Sequence, residues 1–258
     1  MTPILLTGYA FFIGLCIGSF LNVCIYRIPI GASIVRPPSA CPGCNTYIKW
    51  YDNIPLISYV VLRGRCRVCK TTISLRYPMV ELLTGLCAVA AVMRFGFTWP
   101  ALIYFIFIAA LLVITFIDID HRIIPDVISL PGIPLGFAAS FALPMVTWTD
   151  SLIGILAGGG TLFAVAYGYQ LLTGREGMGG GDIKLLAMIG AFVGWQGVLF
   201  TIMASSLIGT LVGVLLMMRA GKGMKLAIPF GPFLAISAIL YLFFGPEIIH
   251  WYLYGVLG

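Results

Sequence analysis

Long apolar segments, separated by short polar or glycine- and proline-containing breaks, make up most of this chain. The first covers residues 3–26, and later ones cover about 78–93, 99–117, 127–146, 151–173, 183–194, 197–218 and 230–245. A helix needs about 20 apolar residues to cross the hydrocarbon core of a bilayer. The pattern therefore predicts an all-α polytopic membrane protein with about eight transmembrane helices, of which the sixth and seventh are divided only by the break at 194–197.

The composition excludes several other classes of protein. Hydrophobic residues make up 60% of the 258 positions and charged residues only 9%, whereas a soluble domain has about 25% charged residues. An ordinary soluble globule, a disordered chain and a small disulfide scaffold are therefore excluded. The net charge of +6 does not indicate nucleic-acid binding, because Lys and Arg collect at the cytoplasmic ends of membrane spans.

The positions of the basic residues predict the orientation in the membrane. Of the fifteen Lys and Arg residues, fourteen fall in four loops, at 27–76, 118–126, 174–184 and 219–225, and only Arg94 lies on the other side. The positive-inside rule places these four loops in the cytoplasm and both termini outside. Because no basic residue precedes the first segment, we expect it to remain as an anchor and not to be a signal peptide.

The segment 28–77 is the only sizeable part of the chain predicted to lie outside the membrane, and it carries four cysteines. Cys41-Pro-Gly-Cys44 and Cys66-Arg-Val-Cys69 form two Cys-x2-Cys pairs, a spacing typical of a four-thiolate zinc site. Two disulfides are disfavoured in a reducing cytoplasm, and a redox-active pair would not need a matched second pair. With four sulfur ligands the zinc has no position for a substrate, so its role is structural.

This assignment divides the chain into three parts. Residues 1–27 form the first transmembrane helix, residues 28–77 form a small cytoplasmic zinc-binding domain, and residues 78–258 form the remaining transmembrane core. A segment of about 50 residues cannot build a large apolar core, which makes a metal staple useful.

Two clusters of carboxylates are expected at the cytoplasmic face. Asp118 and Asp120 end the third apolar segment, and Asp182 follows the glycine-rich stretch Gly177-Met-Gly-Gly-Gly181. Two carboxylates at close range share a proton, which supplies a general base and a general acid for adding water to a peptide bond. Spacing alone does not decide between Asp118 and Asp120.

Other acidic residues allow structural roles. Asp126 and Asp182 each precede an apolar run, as helix N-caps do, and we favour the cap for Asp126; capping does not explain the glycines before Asp182. Glu81 begins the second predicted helix, where it either pairs with a nearby Arg or lines the site.

Taken together, these motifs resemble the bacterial prepilin peptidases, a family of intramembrane aspartyl proteases with a Gly-x-Gly-Asp motif. The resemblance rests on the ordered set of residues 18–29, both cysteine pairs, residues 76–85, Ile117-Asp118, Gly179-Gly-Gly-Asp182 and Pro229-Phe-Gly-Pro232. It implies that Asp118 and Asp182 are the catalytic pair.

The resemblance also implies a reaction and its location. The enzyme would remove the short basic leader of type IV prepilins or secretion-system pseudopilins, after a Gly and usually before a Phe, at the cytoplasmic face of the bacterial inner membrane. Many family members then N-methylate the new terminus with S-adenosylmethionine, so a bifunctional peptidase and methyltransferase is implied. No residue of this chain is assigned to the methyl donor.

Two alternatives from other functional classes remain at this point. A proton-coupled transporter would use the carboxylates as a relay, but it would more often show midplane charges and repeated halves. A membrane scaffold with a zinc-bearing docking module would explain the cysteines but not the combination of Asp and glycine residues.

Overall fold

The structure is a computed structural model that describes residues 3–174, 179–220 and 229–251. Residues 175–178 and 221–228, which include Gly177 and much of the last basic cluster, lie outside the described residues, as do both chain ends. Its regular secondary structure in the described part is helical, with two isolated β-bridges and irregular connections. Its helices are α1 (Pro3–Arg27), α2 (Ile57–Val61), α3 (Arg76–Phe95), α4 (Trp99–His121), α5 (Asp126–Ala139), α6 (Trp148–Thr173), α7 (Gly180–Ala220) and α8 (Gly231–Trp251).

The helix lengths confirm an all-α, multi-pass membrane protein. Five helices, namely α1, α3, α4, α6 and α7, are long and apolar enough to span a membrane. Two shorter apolar helices are α5 and the first part of α8. Helix α5 ends at Ala139 and so covers only part of the predicted apolar segment 127–146.

Helix α7 is interrupted at Gly194, whose backbone angles (φ 71°, ψ 179°) are not helical. A Cβ added at Gly190 would lie 2.9 Å from the side chain of Val198, although eight residues span about 12 Å along a straight helix. The chain therefore turns sharply at Gly194, and α7 is two helical segments joined at the break predicted at 194–197. The described residues thus contain eight apolar helical segments, as the sequence pattern predicts.

The chain divides into two compact units, residues 1–113 and 114–258, with the boundary inside α4. In the first unit, α1 packs against α3 through small residues. A Cβ added at Gly14 would lie 2.7 Å from Cβ of Ala88, and one at Gly18 would lie 2.7 Å from Cα of Glu81. Glycines spaced four residues apart allow two helix backbones to approach closely in a membrane.

In the second unit, α6 and α7 pack with a similar close approach. Gly154 lies against Gly190, and a Cβ at Gly158 would lie 2.5 Å from the carbonyl oxygen of Leu186. The Ser151 hydroxyl also donates a hydrogen bond to the carbonyl oxygen of Ala191 (2.8 Å). These contacts fix the first half of α7, whose start carries Asp182, against a neighbouring helix.

Candidate active site and candidate metal centre

Asp118 lies in the last turn of α4, in the second unit, and is only 5% exposed. A carboxylate near a helix C-terminus is disfavoured by the helix dipole. Here its Oδ2 accepts a hydrogen bond from the backbone N–H of Gly231 (3.0 Å), which is the first residue of α8. The first backbone N–H of α8 therefore gives the Asp118 carboxylate a hydrogen bond that the C-terminal end of α4 does not provide.

Asp118 and Asp182 line the same cavity, which has a volume of about 240 Å³. The other charged residues around the cavity are Arg122 and Asp126, and the remainder of the lining comes from Ile123, Ile124, Gly179 and Gly181. The cavity thus holds the arrangement that carboxylate-catalysed hydrolysis requires, namely two acidic side chains facing a space that admits water.

The burial of the two aspartates near the end of α4 differs sharply. Asp118 is buried and faces the cavity, whereas Asp120 is exposed. The structure thus gives Asp118 and Asp120 different surroundings, a difference that their spacing in the sequence did not show.

The glycines before Asp182 have different surroundings. A Cβ at Gly181 would lie 2.9 Å from Cβ of Ile124, whereas nothing lies within 4 Å of the corresponding position at Gly180. Of the described glycines at 179–181, only Gly181 is required by a neighbouring segment. Gly179 lines the cavity, where a Cβ would meet Oδ2 of Asp182 at 3.8 Å, and Gly180 beside it is open.

The interpretation of Asp126 as a helix cap is wrong. Pro125 occupies the N-cap position of α5 without a side-chain hydrogen bond, and Asp126 is the first helical residue. Its carboxylate instead accepts two hydrogen bonds from Lys184 Nζ, both at 2.8 Å. This ion pair joins the start of α5 to the start of α7, beside Asp182. The sequence provided only a weak indication of this ion pair, namely that a lysine, Lys184, lies two residues after the candidate residue Asp182.

The four cysteines of the first unit come together as predicted. Their Sγ atoms all lie within 4.8 Å of one another, and those of Cys41 and Cys69 are 3.6 Å apart. Tetrahedral zinc with Zn–S bonds of about 2.3 Å needs sulfur–sulfur separations of about 3.8 Å. The cluster therefore fits a four-thiolate metal ion, while the described cysteines form no disulfide.

The two cysteine pairs have the same local backbone. Asn45 N–H donates to the carbonyl of Cys41, and Lys70 N–H donates to that of Cys66, at 2.8 and 3.1 Å. Asn45 and Lys70 also share positive φ angles of 54° and 59°. Each turn is closed by a further backbone hydrogen bond, from Cys41 to Thr46 and from Cys66 to Thr71. The chain thus repeats one turn that presents two sulfurs.

The threonines that close these turns also act on the thiols. Sγ of Cys69 and Oγ1 of Thr71 are hydrogen-bonded at 3.2 Å, and this bond is the largest of the contacts that together lower the pKa of Cys69 to about 6. The equivalent contact between Cys44 and Thr46 (3.4 Å) also lowers the pKa of Cys44. A hydrogen bond to the thiolate favours the form that binds a metal.

Asp52 and Arg67 form a structural pair that the sequence did not single out. Arg67 donates from Nε and Nη2 to both carboxylate oxygens of Asp52, at 2.6–3.0 Å. The bonds hold the pKa of Asp52 below its usual range. Arg67 lies between Cys66 and Cys69, so the pair ties the second cysteine turn to the short 3-10 helix at Trp50–Asn53.

Glu81 has a partner that the sequence did not indicate, the backbone N–H of Leu56. Its Oε2 accepts a hydrogen bond from the backbone N–H of Leu56 (2.9 Å), and the Ser19 side chain of α1 also hydrogen-bonds it. Glu81 thus joins α3 to α1 and to the residue before α2. The sequence indicated a special role for Glu81, because a carboxylate lies within a predicted span. It could not show that a backbone N–H is the partner of this carboxylate.

Comparisons with known proteins cover nearly the whole chain. The family model described as the bacterial peptidase A24 N-terminal domain matches residues 12–95, and that described as the type IV leader peptidase family matches residues 105–214. Proteins named prepilin leader peptidase/N-methyltransferase from Aeromonas hydrophila and Pseudomonas aeruginosa are 39% and 40% identical. They cover 97% and 93% of this chain, which spans 95% and 91% of their lengths.

A protein of the same name from Myxococcus xanthus is 42% identical over 83% of this chain, which spans 64% of that protein. No solved structure matches the chain.

Proposed function

Because this chain belongs to the type IV leader peptidase family, we propose that it cleaves the leader from type IV prepilins or pseudopilins. The catalytic residues in this proposal are Asp118 and Asp182. The observation that carries it is that both carboxylates line one cavity of about 240 Å³. The relatives' shared name, prepilin leader peptidase/N-methyltransferase, supports the substrate class.

The proposed chemistry needs one ionised and one protonated carboxylate. The ionised group takes a proton from water as the water oxygen bonds to the peptide carbonyl carbon, and the protonated group gives its proton to the carbonyl oxygen. The tetrahedral intermediate then breaks its C–N bond. The amine leaves with the first proton, and the second carboxylate recovers its proton from the hydroxyl, so the net change is addition of one water.

The open backbone at Gly179 and Gly180 supports access by an extended peptide. Without a Cβ, these residues let a second backbone approach closely. In this proposal a substrate segment lies beside them, with its scissile bond between the two carboxylates.

Asparagine variants test this assignment. Asp118→Asn and Asp182→Asn keep the side-chain shape but remove the proton-transfer group, so each is expected to lower cleavage of a prepilin-like peptide by at least about 100-fold. The substrate carries a basic leader, a Gly–Phe junction and an apolar helix, and cleavage is measured in detergent. Asp120→Asn is the matched control and should cleave at the wild-type rate. A folded Asp182→Asn protein with normal cleavage would remove that residue from the chemistry.

We propose that Cys41, Cys44, Cys66 and Cys69 hold a structural zinc ion, which supplies a rigid cross-link for the domain 28–77. The sulfur cluster fits this ion. Purified protein should contain one zinc per chain, and Cys41→Ser or Cys66→Ser should lower that content, because each removes one of four ligands. Cys87→Ser, outside the cluster, is the control. Metal analysis that finds no zinc in folded wild-type protein would contradict the proposal.

We also propose N-methylation of the new N-terminus with S-adenosylmethionine, supported by the shared name of the relatives. S-adenosylmethionine would supply the methyl group. Mass spectrometry of the cleaved product should show one added methyl only when the methyl donor is present. A product that stays unmethylated under conditions of full cleavage would limit the protein to the peptidase reaction.

The proposed location is the bacterial inner membrane, with the domain 28–77 and the catalytic face in the cytoplasm and both termini outside. The distribution of basic residues supports this orientation. The remaining core, residues 78–258, would then carry the peptidase activity.

A further inference from the structure

We propose that the backbone N–H of Gly231 positions Asp118 and makes it the ionised member of the pair, so that Asp118 is the general base and Asp182 carries the shared proton. This inference rests on the proposed function. It specifies which carboxylate takes the first proton from water, and it makes Gly231 a residue that positions Asp118 for the reaction.

A hydrogen bond joins the start of α8 to Asp118. Gly231 N–H donates to Asp118 Oδ2 at 3.0 Å, and the bond is buried. As the first residue of α8, Gly231 has an N–H without an acceptor inside its own helix. The bond therefore costs the helix nothing, and the positive end of the helix dipole favours the charged carboxylate.

Gly231 approaches Asp118 more closely than a residue with a Cβ could without displacing the carboxylate. A Cβ at Gly231 would lie 2.6 Å from Asp118 Oδ2 and 3.3 Å from Cγ of the same residue. Any side chain would push the carboxylate away from the amide. Gly231 is thus the residue that lets α8 begin directly against the proposed catalytic group.

The surroundings of Asp182 differ from those of Asp118. Among the described residues, no hydrogen-bond donor is found for the Asp182 carboxylate, which lines the same cavity as Asp118. Two neighbouring carboxylates hold one proton more easily than none, and a hydrogen bond to the ionised form decides where that proton stays. The proton therefore belongs on Asp182.

Two other charged residues line the cavity, Asp126 and Arg122. Asp126 of α5 is paired with Lys184 of α7 at 2.8 Å, which leaves Arg122 as the remaining charged lining residue. The start of α8, at Gly231-Pro-Phe, has no titratable side chain. Among the described residues, the amide of Gly231 is therefore a hydrogen-bond donor that reaches Asp118 and not Asp182.

An amide-to-ester replacement at residue 231 tests the proposal in the full-length protein. Glycolic acid in place of Gly231 removes the N–H but adds no side chain. The acidic limb of the kcat/KM profile against pH should move up by about one to two pH units, because a hydrogen bond to a charged group of ordinary strength is lost.

The matched control is the same replacement at Leu234. Its N–H donates to the carbonyl oxygen of Phe230 (3.2 Å), so the control weakens the same end of α8 without touching Asp118. It should leave the acidic limb in place. An unmoved limb in the residue 231 ester, or an equal shift in both esters, would overturn the proposal.

Alanine variants test the steric part. Gly231→Ala should lower kcat at least tenfold with little change in KM, since it displaces a reacting group and not the bound substrate. Gly160→Ala, at a position with nothing within 4 Å, should cleave normally. Wild-type kcat in folded Gly231→Ala protein would contradict the positioning role.

The proposed function and the role of Gly231 can be overturned separately. Normal cleavage by Asp118→Asn and Asp182→Asn would overturn the proposed function itself. Loss of cleavage in both, together with an unmoved pH limb in the residue 231 ester, would retain the aspartyl mechanism and overturn only the role of Gly231.

Discussion

At the scale of single residues, Glu81 organises backbone outside its own helix. Leu56, which donates to the Glu81 carboxylate, has φ 59° and ψ −47°, a region that non-glycine residues rarely adopt. Ile57 N–H closes this tight turn onto the carbonyl of Pro55 at 2.6 Å. Such strain persists only where surrounding contacts impose it, and the Glu81 carboxylate is one of those contacts.

We predict that Glu81→Leu destabilises the first unit, whereas Glu81→Gln does not. Leucine leaves the Leu56 N–H without its acceptor, at a cost of about 1–3 kcal/mol, while the glutamine carbonyl oxygen still accepts. Hydrogen exchange at the Leu56 amide is the measurement, and it should be faster in Glu81→Leu alone. Equal protection in both variants would show that the turn does not depend on this bond.

At the scale of helices, close packing between backbones sets the geometry of both units. Gly14 and Gly18 bring α1 against α3, and Gly154 and Gly190 bring α6 against α7. Because lipid tails are as apolar as the helices, the hydrophobic effect does little to bring helices together in a membrane. Van der Waals contact between small residues stabilises their association instead.

We predict that Gly18→Ala lowers the free energy of unfolding by about 1–3 kcal/mol, because the added methyl meets the α3 backbone and overpacks the contact. Thermal unfolding in detergent measures the change. Gly8→Ala is the matched control in the same helix, since nothing lies within 4 Å of its Cβ position. Equal melting temperatures for Gly18→Ala and Gly8→Ala would exclude a tight α1–α3 contact in solution.

At the scale of the whole molecule, the eight apolar segments predict alternating exposure of the connecting loops. A phosphatase reporter that works only outside the cytoplasm should be active when fused after Phe97 and inactive when fused after Arg122. The reason is that basic loops are retained in the cytoplasm. The opposite result at either position would overturn the proposed orientation.

Much of the fold could be predicted from the sequence, because the length of the apolar segments and the spacing of the cysteines determine structure locally. The helices follow the apolar segments closely, and the break at Gly194 lies at a predicted boundary. The four cysteines converge because each Cys-x2-Cys turn builds its own pair of sulfurs, and the ordered motifs identified the family that the relatives confirm.

The tertiary structure decided which groups meet across long separations in the chain. Asp118 and Gly231 are 113 residues apart, and Lys184 and Asp126 are 58 apart, so no local pattern could pair them. The interpretation of Asp126 as a helix cap was wrong, because its hydrogen-bond partner, Lys184, comes from another helix. Glu81 likewise binds a backbone N–H, a group that every residue except proline carries and that the sequence therefore does not distinguish.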